Sequence, residues 1–451
     1  MSATDRPRGK GFRLPAAPTT EEGARLDAVL GRLEELVDWE RRARSDGSGR
    51  LMKVTVDPAR DLLERLGSPH SKLRCVHIAG TKAKGSVASI VAAGLRRAGH
   101  ECGLFTSPHV ERVTERVALG GRPIGDSALA SALEDALAAR EAAILEGGPA
   151  ADATWFDVMT AAAALAFARA GATWGVFECG LGGRLDSTNA LHGEVCVVTN
   201  VDLEHTAILG STRAAIAAEK VGILKAGSTL VTGLDPEDEA GVVAAAAARE
   251  LGCAVIWVRV GRGSLETRNA ALARAVFEAL GARGVTSTGG QALAGSIVDD
   301  ELLAEARLPA RMEVIPWRGR TVVLDGAHVP SSLAAVLEEL EGREELSGRP
   351  FAIFGCGADK DAGGLLKVLS GRVDSLLCVS TGTGPHAPPA ELAKRAMECG
   401  VKAETAESPE AALEQAAQEV ALGGWILVTG SIHLAGNLRR SLRSIDPPLS
   451  C

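Results

Sequence analysis

The sequence lacks an excess of positive charge, and this excludes one large class of function. It contains 49 lysines and arginines against 57 aspartates and glutamates, which gives a formal net charge of −8 at pH 7. General binding to nucleic acid requires a basic face that neutralises backbone phosphates. We therefore predict no nucleic-acid partner, and any anionic ligand must be met by a local cluster of basic side chains.

Paired cysteines are also missing, because none of the nine cysteines belongs to a Cys-x-x-Cys pair and several lie in apolar runs. Paired spacing is typical of zinc sites and redox motifs, whereas isolated cysteines in apolar segments behave as small hydrophobes. The sequence predicts reduced, buried thiols. Tyrosine is absent as well, a compositional bias from which we infer no chemistry.

Long apolar runs are the third absence. No uncharged run is long enough to cross a bilayer, and the basic N-terminal residues are not followed by the apolar core of a secretory signal. We therefore predict no membrane association and a cytoplasmic location. Residues 1–25 are expected to form a flexible tail.

The length and the alternation of apolar runs with helical patterns predict two α/β domains. In the first, over residues 26–307, each predicted strand is an unbroken apolar run, which indicates a mostly parallel sheet covered on both faces. Its predicted strands are residues 75–79, 102–106, 174–178 and 195–199. Its predicted helices are residues 26–42, 57–66, 126–146, 156–170 and 213–223.

A second, smaller α/β domain is predicted over residues 308–451, after a Gly-, Ser- and Thr-rich stretch near residues 284–305. Its predicted strands are residues 321–324, 351–354, 375–379 and 425–428. Three of these strands run into polar or glycine-rich loops, so this domain is expected to have its own ligand-facing edge.

The segment Gly-Thr-Lys-Ala-Lys-Gly-Ser at residues 80–86 follows the first strand and precedes a helical pattern that begins at Val87. Glycines let amide groups turn toward an anion, a lysine adds charge, and the helix presents its positive dipole end. The segment therefore predicts a phosphate-binding turn. Its spacing departs from the usual P-loop, since Gly85 separates Lys84 from Ser86, and an ordinary glycine-rich turn is the alternative.

Polar residues follow three other predicted strands: Ser107, Glu178 and His205. Ligands of parallel sheets collect at the carboxyl ends of the strands, so these side chains should converge on the phosphate turn. Hard oxygen ligands beside phosphates suit Mg²⁺ and a nucleotide. Taken singly, the glutamate would more often be solvated and the histidine a capping or core residue.

In the second domain, Arg311 and Asp325 suggest a cleft that both halves close. The Asp325 carboxylate is suited to accept a ribose hydroxyl. A surface salt bridge between the two residues is the alternative.

A series of linked motifs, in order from about residue 25 to about residue 440, resembles the folylpolyglutamate synthase and dihydrofolate synthase family of the Mur ligase superfamily. In that family's own phosphate turn, the lysine is followed by glycine and then serine or threonine, which matches the unusual spacing here. The motifs lie at residues 80–86, 105–109, 178–189, 200–205 with 209–212, 219–223, 308–311, 324–328 and 429–431.

The resemblance implies a P-loop-type ATPase domain with a mostly parallel sheet, followed by a smaller Rossmann-like α/β domain. It implies an ATP-dependent amide ligase that uses ATP and Mg²⁺ to phosphorylate a pterin carboxylate, after which L-glutamate attacks the acyl phosphate. The acceptor would be dihydropteroate, a reduced folate, or both. The expected partners are these small molecules alone, and a monomer is expected.

The resemblance also assigns residues by motif. The implied ATP contacts are Thr81, Lys82, Ala83, Lys84, Gly85, Ser86, Asn269, Arg311 and Asp325. Ser107 and Glu178 would bind one Mg²⁺ and His205 a second, while Thr154 and Phe156 would contact the pterin. Lys220 matches the family lysine that is carbamylated, and His328 would lie close to the transferred phosphate. The implied catalytic set is Lys84, Glu178, His205, Lys220 and His328.

Two positions depart from the family pattern. Lys82-Ala83 replaces a common Asn-Gly pair, and Ala83 adds a Cβ where glycine permits positive φ. Val329 replaces a common asparagine near the nucleotide. The residues that carry the chemistry are all present, so an active ligase is favoured over a degenerate ATP-binding protein.

Two other functions are alternatives to this ligase activity. One is a Mur-type ligase for another carboxylate. The other, a dinucleotide-dependent oxidoreductase, is disfavoured because the glycine spacing of a dinucleotide-binding turn is absent.

Overall fold

The computed structural model describes residues 21–37, 55–259, 263–382 and 384–445. Within these ranges the chain forms an eight-stranded and a six-stranded sheet, each packed against helices. Most neighbouring strands are parallel, which confirms the predicted α/β class. The two sheets are built in sequence order, the first from residues 74–257 and the second from residues 313–429.

The first sheet has the strand order β4-β3-β2-β5-β1-β6-β7-β8. Only β3 and β4, at one edge, run antiparallel to their neighbours. The strands are β1 (Arg74–Ala79), β2 (Cys102–Phe105), β3 (Val117–Leu119), β4 (Arg122–Pro123), β5 (Trp174–Glu178), β6 (Val195–Val198), β7 (Thr229–Thr232) and β8 (Ala254–Trp257).

The second sheet has the order β13-β12-β11-β14-β10-β9, with only β9 antiparallel to its neighbour. Its strands are β9 (Glu313–Trp317), β10 (Arg320–Leu324), β11 (Phe351–Phe354), β12 (Ser375–Cys378), β13 (Ala403–Thr405) and β14 (Trp425–Thr429). The central strands are buried on both faces, as expected for apolar runs in a parallel sheet.

The helices alternate with these strands and cover both sheets. In the first part of the chain they are α1 (Glu21–Glu34), α2 (Asp57–Arg65), α3 (Lys84–Arg97), α4 (Asp126–Glu146), α5 (Trp155–Arg169), α6 (Thr206–Leu209), α7 (Arg213–Val221), α8 (Glu239–Glu250), α9 (Leu265–Ala282) and α10 (Asp300–Glu305). In the second part they are α11 (Pro330–Glu341), α12 (Ala362–Leu369), α13 (Pro389–Glu398), α14 (Pro409–Glu419) and α15 (Ile432–Ile445).

A cluster of aromatic side chains fixes the part of the first sheet that carries the site. Phe177 of β5 lies 5.9 Å from Phe105 of β2 and 5.6 Å from Phe167 of α5, measured between ring centroids. All three rings are fully buried. Tilted and edge-on pairs of this kind contribute about 0.5–1.5 kcal/mol each beyond the burial of area. The ends of β2 and β5 are therefore held together and against α5.

The strand predictions were right in place but incomplete. All eight predicted strands are present, within one residue at either end, whereas β3, β4, β7, β8, β9 and β13 were not predicted. The first helix was predicted over residues 26–42, but it spans Glu21–Glu34. Its first five residues belong to the predicted tail, while residues 1–20 and 38–54 lie outside the described residues.

The predicted state of the cysteines agrees with the structure. All eight cysteines in the described residues are free, and six of them are buried; Cys451 lies outside those residues. Among the described residues, no helix combines the length and the apolar character that crossing a membrane requires.

Candidate active site

The strand order of the first sheet brings the predicted site residues together. Strands β2, β5, β1 and β6 are consecutive neighbours and run parallel, so their carboxyl ends lie side by side. Ser107 follows β2, Glu178 ends β5, the turn at residues 80–86 follows β1, and His205 lies in the loop after β6. A single edge of the sheet therefore presents a hydroxyl, a carboxylate, a glycine-rich turn and an imidazole.

The turn at residues 80–86 is tied to the loop after β6. The amide of Thr81 donates to the carbonyl of Asn200 (3.0 Å), and the amide of Lys82 donates to the Asn200 side chain (2.9 Å). The Thr199 hydroxyl donates to the Lys82 carbonyl (2.6 Å). Helix α3 begins at Lys84, and the first amides of a helix have no acceptor within the helix. The turn is thus a preorganised site for an anion.

Ala83 adopts the left-handed backbone conformation, with the positive φ that glycine permits more readily than alanine. Its φ is +65° and its ψ is +2°, directly before helix α3. In this region a Cβ crowds the backbone, at a cost of roughly 1–2 kcal/mol. The alanine therefore occupies a strained position in the turn.

Replacing Ala83 with glycine should stabilise the protein by roughly 0.5 kcal/mol. The substitution removes the strain of the positive φ, and part of this gain is lost because glycine makes the unfolded chain more flexible. Urea unfolding followed by tryptophan fluorescence measures the difference. Ala246, exposed in the middle of α8, is the matched control, since glycine there should destabilise by roughly 0.5–1 kcal/mol. Destabilisation at both positions would contradict the prediction.

Glu178 and Ser107 form the candidate metal site. The Glu178 side chain is 4% exposed, and one of its oxygens accepts a hydrogen bond from the Ser107 amide (3.0 Å). A Cβ on Gly85 would lie 3.1 Å from the same oxygen, so the carboxylate lies against the start of helix α3. Hard oxygen donors beside a phosphate-binding turn suit Mg²⁺.

These residues do not form a complete coordination sphere. Within the described ranges, no group of three His, Cys, Asp or Glu side chains is arranged to hold a metal ion. An ion bound by Glu178 and Ser107 would therefore take its other ligands from phosphate oxygens and water, as Mg²⁺ commonly does. The residues fit a metal that arrives with a nucleotide.

Glu204 is a charged residue of this region that the sequence analysis missed. Its carboxylate forms an ion pair with the Lys82 ammonium, with 2.8 Å between Nζ and Oε1. It precedes His205, which is solvent-exposed and has a φ of +51° at the start of the short helix α6. The only signal in the sequence was its place beside His205 in the loop after β6.

Lys220 lies beneath the phosphate turn. It is 4% exposed, and its ammonium donates to the carbonyl of Gly80 (2.8 Å). Burial, reinforced by the charge of nearby Lys84, lowers the pKa of Lys220 to about 7. Near neutral pH this side chain is therefore partly an uncharged amine, which is the nucleophilic form of lysine.

A cavity of about 1990 Å³ adjoins these elements. Strands and loops of the first half line it together with loops and helices of the second half, so the predicted cleft between the two halves exists. Of the predicted site residues, only Lys220 is outside its lining. The predicted residues that line it are Thr81, Lys82, Ala83, Lys84, Gly85, Ser86, Ser107, Thr154, Phe156, Glu178, His205, Asn269, Arg311, Asp325 and His328.

The second sheet contributes Asp325 and His328, from the loop after β10, to this cavity. Asp325 is 4% exposed, so the alternative of a surface salt bridge is excluded. Its two oxygens accept hydrogen bonds from the amides of Met312 (2.9 Å) and Ala327 (2.7 Å). The carboxylate thus fixes the segment that carries Arg311. Each oxygen keeps a second lone pair for a ligand hydroxyl.

His328 is neutral over the physiological pH range. Burial, with a further contribution from the charge of Lys360, lowers the pKa of its imidazole to about 4. Its Nδ1 lies 2.9 Å from the carbonyl of Gly326. In the neutral ring, Nδ1 then donates and Nε2 keeps a lone pair. Val329, next in the chain, precedes helix α11 without a side-chain cap, which an asparagine would supply.

The part of the cavity around Thr154 and Phe156, where the pterin is predicted to bind, contains acidic groups that were not predicted from the sequence. Thr154 caps helix α5, and its hydroxyl donates to the Asp157 carboxylate (2.6 Å). Asp157 also accepts a hydrogen bond from the hydroxyl of Ser187 (2.6 Å). Asp157, Asp186 and Ser187 all line the cavity. The Thr154 hydroxyl and both oxygens of Asp157 are thus engaged in hydrogen bonds within the protein.

Asp186 organises the glycine-rich loop after β5. Its carboxylate accepts hydrogen bonds from the amides of Leu181 (2.8 Å) and Thr188 (3.0 Å). Burial raises the pKa of Asp186 to about 6 despite these bonds. The loop that the sequence showed to be too glycine-rich for a packed element is therefore held by one buried carboxylate.

Comparisons with known proteins agree with this geometry. Residues 310–432 match the family model described as Mur ligase, glutamate ligase domain. The chain is 30% identical over 380 residues to the dihydrofolate synthase/folylpolyglutamate synthase of Escherichia coli, a match that covers 80% of this chain and 85% of that protein. It is 34% identical over 428 residues to a "probable bifunctional folylpolyglutamate synthase/dihydropteroate synthase" of Haloferax volcanii. That match covers 88% of this chain but 49% of the archaeal protein, so the chain spans about half its length.

A solved structure shares the whole architecture. The crystal structure of a bifunctional folylpolyglutamate synthase/dihydrofolate synthase from Yersinia pestis superposes on the chain with a TM-score of 0.74 and 26% sequence identity. The match covers 94% of this chain and 100% of the bacterial one. That protein is complexed with AMPPNP and a manganese ion.

Proposed function

This chain belongs to the folylpolyglutamate synthase/dihydrofolate synthase family, whose members are ATP-dependent ligases, and from that premise we propose that it joins L-glutamate to the carboxylate of a pterin substrate. The acceptor is dihydropteroate, a reduced folate, or both. The observation that carries the proposal is the cavity on which the phosphate turn, the Glu178–Ser107 pair and the loop of His328 converge.

The proposed reaction needs activation because a carboxylate is a poor acyl donor. A carboxylate oxygen of the pterin substrate attacks the terminal phosphorus of ATP, the bond to the bridging oxygen breaks, and ADP leaves. The amine of glutamate, having lost a proton, then attacks the acyl phosphate carbon. The tetrahedral intermediate expels phosphate and leaves the amide. Both steps develop negative charge on oxygen, which fixed positive groups stabilise.

The residues of this chain have separate tasks in that scheme. Lys84 and the amides at the start of α3 hold the phosphates and offset their charge as the anionic carboxylate approaches. Asn269, Arg311 and Asp325 contact the nucleotide. The neutral imidazole of His328 lines the same cavity, and its Nε2 lone pair is proposed to take the proton that the glutamate amine must lose. Phe156, packed 5.6 Å from Phe105, offers an aromatic face to the pterin.

We propose Mg²⁺ as the metal, held by Glu178 and Ser107, with His205 as the protein ligand of a second ion. The bound metal supplies charge neutralisation between phosphate oxygens. The carboxylate and hydroxyl are hard oxygen ligands, and this chemistry supports Mg²⁺ over softer metals.

Glutamate-dependent release of ADP tests the function. The purified protein is given ATP, Mg²⁺ and bicarbonate, with dihydropteroate and tetrahydrofolate in separate reactions. We expect ADP release that requires both glutamate and an acceptor, together with a product heavier by one glutamyl unit. No release with either acceptor, despite measurable nucleotide binding, would contradict the proposal and favour another carboxylate or a protein without turnover.

Lys220 is proposed to be carbamylated. Its uncharged amine attacks carbon dioxide, an N–C bond forms, and loss of a proton leaves a carbamate anion near the second metal position. Because the pKa is about 7, the amine is roughly 90% neutral one unit above that pH and roughly 10% neutral one unit below it. When the concentration of dissolved carbon dioxide is held equal at both pH values, enzyme depleted of bicarbonate should therefore regain activity faster at the higher pH.

Lys220→Arg should lose this response, since arginine stays protonated. Magnetic resonance with isotopically labelled bicarbonate detects the carbamate directly and independently of turnover. An equal rate of recovery at both pH values, or a labelled signal that persists in Lys220→Arg, would contradict the assignment.

We propose a domain boundary at residues 307–308, supported by the two separate sheets and by a family match that begins at residue 310. Buried free cysteines and the need for ATP support a cytoplasmic site of action. The enzyme is proposed to act as a monomer.

A further inference from the structure

Arg439, on helix α15, is a buried cation to which the reaction scheme gives no task. It is 8% exposed and lines the cavity. Its Nε donates to both oxygens of Glu313 on β9 (3.0 and 2.7 Å), and its Nη1 donates to Glu111. Glu111 belongs to the loop after β2, in the first half of the chain. Arg439 and Glu313 belong to the second half. One guanidinium therefore joins the two halves.

The loop that holds Glu111 also carries Ser107. Within its own half, the loop is fixed by Glu115, whose carboxylate accepts hydrogen bonds from the amides of Val110 (2.8 Å), Glu111 (3.0 Å) and Arg112 (2.9 Å). The short segment from Ser107 to Glu111 has little freedom once its far end is fixed. A contact that fixes Glu111 therefore also restrains the short backbone segment that carries the proposed metal ligand.

Packing reinforces the ionic contact at the same place. Val110 packs against the apolar cluster of the second sheet. A Cβ added to Gly436 of α15 would lie 2.2 Å from the Val110 carbonyl oxygen, so only glycine permits the helix to approach the loop this closely. Helix α15 and the loop after β2 are therefore complementary surfaces.

Glu313 connects Arg439 to the other side of the site. One Glu313 oxygen accepts the amide of Ala310 (2.9 Å), next to Arg311, a proposed nucleotide contact. The backbone on either side of Arg311 is held at positive φ, +50° at Ala310 and +48° at Met312. The Arg439 network thus fixes both the Ser107 loop and the Arg311 segment.

We propose that Arg439 is a positioning residue that completes the metal site by docking helix α15 onto the Ser107 loop through Glu111. The inference rests on the proposed role of Ser107 as a metal ligand. Removal of a residue that orients a metal ligand typically lowers the metal affinity roughly 10- to 100-fold. Metal binding, more than nucleotide binding alone, should then depend on the contact between Arg439 and Glu111.

The test measures Mn²⁺ binding to the full chain in the presence of AMPPNP, by the electron paramagnetic resonance signal of free Mn²⁺. Glu111→Gln keeps the shape of the side chain and the Arg439–Glu313 pair, and should weaken Mn²⁺ binding roughly tenfold or more. Gly436→Ala should also weaken Mn²⁺ binding, although it changes no charge. AMPPNP affinity without metal should stay at the parental value in Glu111→Gln, which also shows that the variant is folded.

Arg443→Met is the matched control. Arg443 lies on the same helix and approaches Glu313 (3.6 Å), but its side chain is 57% exposed. Its replacement should leave Mn²⁺ affinity unchanged. Parental Mn²⁺ affinity in Glu111→Gln, or an equal loss in Arg443→Met, would overturn the proposal. These readouts need no pterin or glutamate, so they separate this inference from failure of the proposed ligase activity.

Discussion

Alanine in place of Lys84 should reduce ATP-dependent ligation by roughly a hundred- to a thousand-fold, the loss typical of removing one preorganised group that stabilises developing charge. Lys84 is the first residue of helix α3 and lines the cavity. Burial lowers the pKa of both Lys220 and His205, and the positive charge of Lys84 adds to the effect in each case. The phosphates would lose their main point charge, while the helix amides would remain.

The measurement is glutamate-dependent ADP release at saturating ATP, with AMPPNP binding measured separately. We expect a fall in turnover larger than the fall in nucleotide affinity, because the charge of the transferring phosphate is greatest during reaction. Lys394→Ala, which removes an exposed lysine from α13, is the control for general loss of a positive charge. Near-parental turnover of Lys84→Ala would remove Lys84 from the proposed scheme.

Glu178→Gln should cause a loss of similar size, by a different route. Glutamine keeps the shape, and its amide oxygen can still accept the hydrogen bond from Ser107, so the local fold is retained. The substitution removes the negative charge that would hold the metal, and metal-assisted charge neutralisation is worth several kcal/mol. The variant should bind AMPPNP but respond to Mg²⁺ only at much higher concentrations.

Titration of Mg²⁺ in the ADP-release assay distinguishes this loss from unfolding. Glu301→Gln removes a carboxylate whose side chain is 88% exposed and should behave as the parent. If Glu178→Gln turns over at the parental rate and the parental Mg²⁺ requirement, the metal site has been assigned to the wrong carboxylate.

The central strands were predictable because their signal is local and strong. Strands β1, β5, β6, β11 and β14 are buried apolar runs, and such runs are recognisable without any knowledge of their neighbours. Strand β8 is only partly buried, and β9 alternates between half-buried and exposed residues before the buried Trp317 and contains Pro316. Both are edge strands, each paired on one side only, so their existence depends on the neighbour with which they pair.

Convergence of the site was predictable in part. Chemical groups at the ends of parallel strands meet at one edge, and this rule placed Ser107, Glu178 and His205 near the phosphate turn. The rule does not give the order of strands. The observed order β2-β5-β1-β6 makes the carboxyl ends of these four strands immediate neighbours.

The sequence by itself determined the phosphate turn, the polar residues at the strand ends and the family, because each is written in consecutive residues or in motifs of fixed order. The tertiary structure alone decided which charges meet. Lys82 and Glu204 are 122 residues apart, Lys220 and Gly80 are 140 apart, and Arg439 and Glu111 are 328 apart. The lowered pKa of Lys220 and the bridge made by Arg439 depend on burial and on distances across the fold. No local pattern encodes either quantity, since both arise only when distant segments exclude water together.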